Sequence, residues 1–359
     1  MGILTEERFC PVRRLAVAVV GDRFMLPERF VAALASLADR IEIDARTLTL
    51  AWPDAAMVHG YAGDDLKGLK EFMGTPAEIG DFIADAEVFI NHLAPVTAPM
   101  LDAHPRLKLI AVCRGGPVNI DMDAARERGV TVVNTPGRNA AAVAEFTIGM
   151  ILAQTRLITL GHTSLAAGNW RGDLYCADIT GTELSAMTVG VVGYGQIGIR
   201  VVRLLKAFGC RILVADPYVQ LSPSDRDDGI TKVALDELLA RSDVVTLHAR
   251  VTPETTGFIG QRELALMKKS AHLVNTARGP LVDYEALYEA LRDGGIRGAA
   301  LETFAVEPVP PDWPLLALPN VTLTPHIAGA SQQTVDRSAG MIAEEIRRYV
   351  EGESPLNPV

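Results

Sequence analysis

Four polar side chains near the C-terminal end of the chain are of types that move protons and hold anions. "LVNTARGPLVD" carries Arg278, "ALETFAVEP" carries Glu302 and Glu307, and "LTPHIAGAS" carries His326. Each follows a short apolar run that reads as a buried β-strand. Histidine suits proton transfer near neutrality, because its unperturbed pKa is ~6.5. A carboxylate beside it would orient the imidazole and stabilise the imidazolium. Arginine offers a two-pronged fork for a carboxylate and for negative charge growing on a carbonyl oxygen. Each residue alone also fits a solvated loop. Their common placement at strand ends is what suggests a shared site.

A glycine pattern upstream indicates what that site would serve. "VGVVGYGQIG" sets Gly193, Gly195 and Gly198 in G-x-G-x-x-G spacing, after one strand and opening a helix. A second strand follows and ends in Asp216, 18 residues beyond Gly198. This is the context in which the pattern binds a dinucleotide. The first glycine permits the turn, the second lets backbone approach a pyrophosphate, and the third lets helix pack on strand. The helix N-terminus offers unbonded N–H groups to the phosphates. Asp216 suits ribose hydroxyls and repels a 2′-phosphate, and "PYVQLSPSD" supplies no Arg or Lys to offset it. NAD is therefore expected over NADP. With a nicotinamide cofactor, Arg278, a glutamate and His326 match the needs of hydride transfer from a secondary alcohol.

These residues must be held by elements that the rest of the chain supplies. Strand-like runs at 14–20, 86–92, 107–113 and 130–135 alternate with helical patterns and suggest a first α/β domain. A second series at 188–195, 211–217, 242–249, 271–277, 296–302 and 321–326 suggests a doubly wound parallel sheet. The tail 331–352 reads as one amphipathic helix, with Val335, Ala339, Ile342, Ile346 and Val350 on one face. "AAAVAEFTIGMILAQTRLITLG" reads as one buried helix and not a membrane span, since Glu145, Gln154 and Arg156 interrupt it.

Composition narrows the class. The 48% apolar and 22% charged content over 359 residues is that of a soluble globular protein of two domains. A net charge of −10 argues against nucleic acid and anionic membrane as partners. An anionic substrate would therefore need a local positive site. Cysteines 10, 113, 176 and 210 show no C-x-x-C spacing, so neither a metal site nor a disulfide framework is indicated, and a reducing cytoplasm is expected. The N-terminus carries neither a secretory nor a myristoylation pattern.

From about residue 85 onward the chain resembles the D-isomer-specific 2-hydroxyacid dehydrogenases. The resemblance rests on "NAAAVAEFTIGMILA", "GTELSAMTVGVVGYGQIG", "LHARVTPETTGFIG", "MKKSAHLVNTARGPLVD", "ALETFAVEP", "LTPHIAGAS" and "GESPLNPV", in that order. It implies two doubly wound domains, a flavodoxin-like substrate domain and a Rossmann NAD-binding domain. The first would be discontinuous, 1–135 plus 331–359, and the second would span 136–330, with a dimer-forming arm at 166–184. It also implies that Arg278 binds substrate, that His326 is the acid/base and that Glu307 is its partner. Gln196, Ile197, Asp216, Thr276, Ala277 and Gly329 would line the NAD site with the three glycines, Arg278 and His326. Glu302 would face the nicotinamide, where the family usually has Asp. Arg250 stands where the family often has Pro, and water is its expected surrounding.

The substrate loop would be "VCRGGPVNID", with Gly115 and Gly116 offering N–H groups to an anion and Arg114 beside them. "NHLAPVT" would form another wall, with His92 but no arginine. That wall, and a chain ending soon after the tail helix, favour a small unphosphorylated acid such as glyoxylate, glycerate or hydroxypyruvate. The partner expected is a second copy of the chain. Formate oxidation would call for Gln at position 307, since no proton is removed there. Phosphite oxidation uses a similar Arg–Glu–His set. An NAD-sensing dimeric corepressor of the same fold is disfavoured by the lack of basic segments and long tails.

Overall fold

Alternation of apolar runs with helices produces two separate parallel sheets. The structure, a computed structural model, describes residues 13–52, 66 and 68–359. The N-terminal stretch read for leader patterns, with Cys10, lies outside the described residues. Met1–Arg138 and Ser331–Val359 make one unit, and Asn139–Ala330 the other. These are called unit 1 and unit 2.

Unit 1 contains β1 (Arg14–Gly21), β2 (Glu42–Thr49), β3 (Val88–Asn91), β4 (Leu109–Val112) and β5 (Thr131–Val133). They pair in parallel in the order β2-β1-β3-β4-β5. β3 and β4 are buried at every position, as strands covered on both faces must be. The sequence reading found four strands here and missed β2. Its run "EIDARTLT" alternates exposed with half-exposed residues, with no buried position, because it lies at the sheet edge. The charges of Glu42, Asp44 and Arg46 suit an edge that must not pair further.

The C-terminal helix Gln332–Glu351 belongs to unit 1. Val335, Ala339, Ile342 and Ile346 pack with Leu15, Val17, Ile90 and Leu109. Ser331 caps it through Thr334 N–H at 3.1 Å. Beyond the helix, the buried carboxylate of Glu345 accepts from Leu356 N at 3.0 Å and from Asn357 N at 2.9 Å. This explains why "SPLNPV" follows a helix end yet takes a fixed path. Phe89, Ile110, Ile79 and Ile83 fill the opposite face of the sheet.

Unit 2 contains β6 (Thr188–Val192), β7 (Arg211–Ala215), β8 (Thr231–Lys232), β9 (Val244–Leu247), β10 (His272–Asn275), β11 (Gly298–Leu301) and β12 (Val321–Leu323). The order is β12-β11-β10-β9-β6-β7-β8, and every pairing is parallel. The strand order reverses at β6, so the crevice at its carboxyl end is the ligand position of such sheets. The two-residue β8 was too short for the sequence to show.

The long apolar segment near residue 150 forms two helices rather than one. Ala140–Thr155 ends where Leu157 takes a positive φ of 57°, and Ile158–Ala166 departs at 68°. Gln154 ties the first helix to β12: its Nε2 donates to Asn320 O at 2.9 Å, and its Oε1 accepts from Thr322 Oγ1 at 2.8 Å. No single helix among the described residues is long and apolar enough to cross a membrane.

Phe89 is fully buried in the unit 1 core. Phe89→Ala is expected to lower stability by about 3–5 kcal/mol through lost burial and a residual cavity. Urea unfolding followed by circular dichroism measures this, and an unchanged midpoint would contradict the packing described.

Candidate active site

Because the strands of unit 2 are parallel, their carboxyl ends share one edge. Gly193 follows β6, Asp216 follows β7, Thr276 to Arg278 follow β10, Glu302 follows β11, and His326 lies shortly beyond β12. All the residues that sequence reading placed in the catalytic and cofactor sets fall at this edge, except Gln196, Ile197 and Gly198 in the helix entered from it and Gly329 in the turn after His326.

The glycine turn is built for close approach. Gly193 has φ of 94°, and a Cβ there would lie 2.7 Å from the His248 carbonyl carbon. A Cβ on Gly198 would lie 2.1 Å from Gly193 O, so helix and strand meet without a side chain between them. At Gly195 a Cβ would meet nothing within 4 Å, so this side of the loop is open. Gln196 and Ile197 begin the helix Gln196–Lys206, which has no side-chain cap and no acidic residue in its first turn. Its leading N–H groups and dipole therefore suit a pyrophosphate.

Asp216 is held rigidly. Its Oδ2 accepts from Tyr194 N at 2.8 Å, and its Oδ1 accepts from Tyr218 N at 2.8 Å and Val219 N at 3.0 Å. Partial burial alone would raise its pKa. The three N–H groups and the nearby Lys232 charge outweigh that and hold it below the usual carboxylate value. Lys232 comes from β8 and was not visible in the residues that follow Asp216 in sequence. Its ammonium donates to Val219 O at 2.7 Å. An open glycine loop at a helix N-terminus and a carboxylate fixed by three N–H groups fit NAD.

Thr276 and Ala277 are buried, and Thr276 Oγ1 bonds Thr147 Oγ1 at 2.7 Å. The Thr276 side chain therefore faces inward, toward the helix Ala140–Thr155. Asn275 pins the following turn by donating to Arg278 O at 2.9 Å and accepting from Ala277 N at 3.1 Å. The Arg278 side chain is exposed beyond this turn.

Glu307 and His326 meet directly. His326 Nδ1 lies 2.7 Å from Glu307 Oε2, while Glu307 Oε1 accepts from Phe304 N at 2.7 Å. Both carboxylate oxygens are thus committed, and the side chain is only 10% exposed. The loop rests on the Tyr284, Phe304 and Trp313 rings, and Tyr284 OH donates to Thr303 O at 2.5 Å. No local signal marked Tyr284 as a support. His326 has φ of 51°, a left-handed conformation uncommon for a residue with a side chain, and its N–H donates to Glu302 O at 3.0 Å. Burial by itself would lower the imidazole pKa. The hydrogen bond and charge of Glu307 prevail and raise it above its ordinary value.

Glu302 and Glu307 are not paired with each other. Glu302 is 1% exposed, and its Oε1 accepts from Ala328 N at 2.6 Å. It thereby holds the turn after His326, where Gly329 packs closely on Asn139. Burial pushes Glu302 up to about 7, so its charge changes near neutrality, beside His326. Arg250 is exposed, as expected.

The residues assigned to substrate lie in unit 1. His92 follows β3, and Arg114, Gly115 and Gly116 follow β4. A Cβ on Gly115 or Gly116 would meet nothing within 4 Å, and Asn134 Nδ2 steadies the loop by donating to Gly115 O at 2.8 Å.

The chain is similar to several known proteins in sequence and in fold. The NAD-binding domain of the D-isomer specific 2-hydroxyacid dehydrogenases matches residues 148–328. A glyoxylate reductase of Korarchaeum cryptofilum is 39% identical over 278 residues, 77% of this chain and 83% of that protein. A D-3-phosphoglycerate dehydrogenase of Methanocaldococcus jannaschii is 42% identical over 288 residues, 79% of this chain. The chain spans only 54% of the length of that relative. Among solved structures, the TT0316 protein of Thermus thermophilus superposes with a TM-score of 0.74 at 33% identity, covering 96% of this chain and 99% of that one. The chain belongs to the D-isomer-specific 2-hydroxyacid dehydrogenases, NAD-dependent oxidoreductases that transfer a hydride between 2-hydroxy and 2-keto acids.

Proposed function

We propose that His326 is the acid/base of this reaction, Glu307 its partner, and Arg278 the cation that holds the substrate carboxylate and polarises its carbonyl oxygen. The observation that carries this reading is the Glu307–His326 contact at 2.7 Å, with the carboxylate itself fixed by Phe304 N–H. Glu307 accepts from Nδ1, so Nε2 is the nitrogen that exchanges a proton with substrate. NAD, when bound, supplies the hydride acceptor or donor. In oxidation, His326 takes the hydroxyl proton while Arg278 offsets charge on the substrate, and Glu307 stabilises the imidazolium formed. In reduction, the same imidazolium returns the proton to the carbonyl oxygen. A carboxylate on the imidazole serves a reaction that moves a hydroxyl proton, which favours this chemistry over formate oxidation. Gly115 and Gly116, with Arg114 and His92, are assigned to substrate on the strength of their open backbone and polar neighbours.

The partner we propose is a second copy of this chain, joined through the arm 166–184 and the helix before it. Ile158–Ala166 has no buried residue although it carries Ile158, Leu160 and Leu165. Trp170 is 84% exposed and Tyr175 95% exposed, an unusual amount of aromatic surface for a lone subunit. A groove beside them is lined by Leu157, Leu160, Leu174, Ile179 and Val321. A reducing cytoplasmic setting belongs to the same proposal, supported by the scattered cysteines.

His326→Ala should lower turnover by at least about 100-fold while NAD still binds, since general acid–base catalysis contributes on that order. Retained turnover with intact cofactor binding would remove His326 from the role. Glu307→Gln removes the charge that lifts the His326 pKa. The neutral imidazole then persists to lower pH, so the rising limb of hydroxy-acid oxidation and the falling limb of keto-acid reduction should both move to lower pH. A pH–rate profile reads this, and an unmoved limb would refute the partnership. For the arm, Trp170→Ser with Tyr175→Ser should shift sedimentation from dimer toward monomer. A wild-type chain sedimenting as a monomer would end that proposal.

A further inference from the structure

One buried phenol in unit 2 stands behind the carboxylate that faces His326. Tyr284 opens the helix Tyr284–Arg292 and is 9% exposed. Its hydroxyl donates to Thr303 O at 2.5 Å. Among the described residues no backbone N–H donates to that carbonyl, so the phenol is what fixes it. The Thr303 carbonyl and the Phe304 N–H belong to the same peptide unit, which is planar and turns as one body. At the other end of that plane, Phe304 N donates to Glu307 Oε1 at 2.7 Å. A single rigid peptide thus links the Tyr284 hydroxyl to the Glu307 carboxylate, whose Oε2 lies 2.7 Å from His326 Nδ1.

The phenol is itself held from two sides. The Trp313 ring centroid lies 5.3 Å from that of Tyr284 and the Phe304 centroid 6.3 Å, so the ring body is packed. On the other side is the turn that carries Arg278. Asn275 fixes this turn through Arg278 O and Ala277 N, and its side chain also acts on the Tyr284 hydroxyl. A Cβ on Gly279 would lie 1.9 Å from the Phe304 carbonyl carbon, so the Arg278 turn and the Glu307 loop touch backbone to backbone. Burial and then the Glu307 charge raise the pKa of the hydroxyl, against a hydrogen bond from Asn275. The group therefore stays protonated and keeps its place as donor to Thr303 O.

We propose that Tyr284 is a positioning residue for the reaction: through the peptide plane between Thr303 and Phe304, its hydroxyl aims the N–H that orients Glu307 toward His326. This rests on the reading of Glu307 as the partner of His326. Without the hydroxyl, a phenyl ring still fills the space, but nothing fixes the carbonyl end of the plane, and the carboxylate is aimed less steadily at Nδ1. The charged groups that face His326 are Glu307, Glu302 and Arg278. Burial lowers the imidazole pKa, the two glutamates raise it, and Arg278 lowers it. Of these three, only Glu307 is held by the peptide that Tyr284 fixes.

The test is Tyr284→Phe in the full-length enzyme, which removes the hydroxyl and keeps the ring. The probe is whichever of glyoxylate, pyruvate and hydroxypyruvate the wild-type enzyme reduces fastest with NADH. The kcat should fall about threefold to tenfold, the scale of one buried hydrogen bond. A less steadily aimed Glu307 raises the His326 pKa less, so the falling limb of the pH–rate profile should move to lower pH, by less than in Glu307→Gln. NADH affinity, read by fluorescence titration, should not change. In a Glu307→Gln background, Tyr284→Phe should leave the limb where Glu307→Gln put it. An unmoved limb in Tyr284→Phe would overturn the proposal, as would a further shift in the double variant. Loss of NADH affinity along with kcat would show the phenol to be structural only. An unmoved limb in Tyr284→Phe beside a moved one in Glu307→Gln rejects this proposal alone, whereas an unmoved limb in Glu307→Gln rejects the reading beneath it.

Discussion

Parallel strand pairing is the constraint on which this molecule depends. When every strand of a sheet runs the same way, every strand carboxyl end arrives at one edge, and each crossover must return over a face. In unit 2 this brings Gly193, Asp216, Arg278, Glu302 and His326 to a common edge from stretches more than 130 positions apart. None of these residues needs to be near another in sequence. The β6 reversal adds the crevice, and the glycine turn leaves its backbone open beside it.

Within that edge the electrostatics separate two glutamates of the same short stretch. Glu307 is oriented by a backbone N–H and faces an imidazole, so it raises the His326 pKa against the effect of burial. Glu302 is deeper and is pushed to about 7 by burial, while its carboxylate accepts from Ala328 N–H. In the mechanism we propose, the first acts through His326 on the proton of the reaction. The other secures the turn that holds His326 in its left-handed conformation. The aromatic cluster of Tyr284, Phe304 and Trp313 gives the Glu307 loop a rigid floor, the support that an oriented carboxylate requires.

Unit 1 follows the same rule with different side chains. Its parallel edge gathers Asp22, His92, Arg114 and Arg138, and here too a carboxylate fixes an imidazole through Nδ1. The two pairs differ in surroundings. The Asp22–His92 pair lies near guanidinium groups, and burial lowers the His92 pKa, while Glu307 raises that of His326. A raised His326 pKa suits exchanging a proton near neutrality.

Much of this was legible in the chain itself. The buried strands, the glycine turn with Asp216, the tail helix and the polar residues at strand ends are local patterns, set by burial on both sheet faces and by the backbone needs of a dinucleotide loop. The rest emerged on folding, for reasons that are also physical. β2 carries no apolar run because an edge strand is covered less, and β8 is too short to show a period. The break at Leu157 is a single residue in a left-handed conformation within an apolar stretch. Asp22, Arg138, Lys232 and Tyr284 are ordinary residues in their own segments, and they matter only through what folding sets beside them. The order of residues along the chain is enough to specify most strands and turns and the residue types that stand at their ends. Which charge meets which is settled only in the folded molecule, because hydrogen bonds and desolvation depend on distance in space and not along the chain.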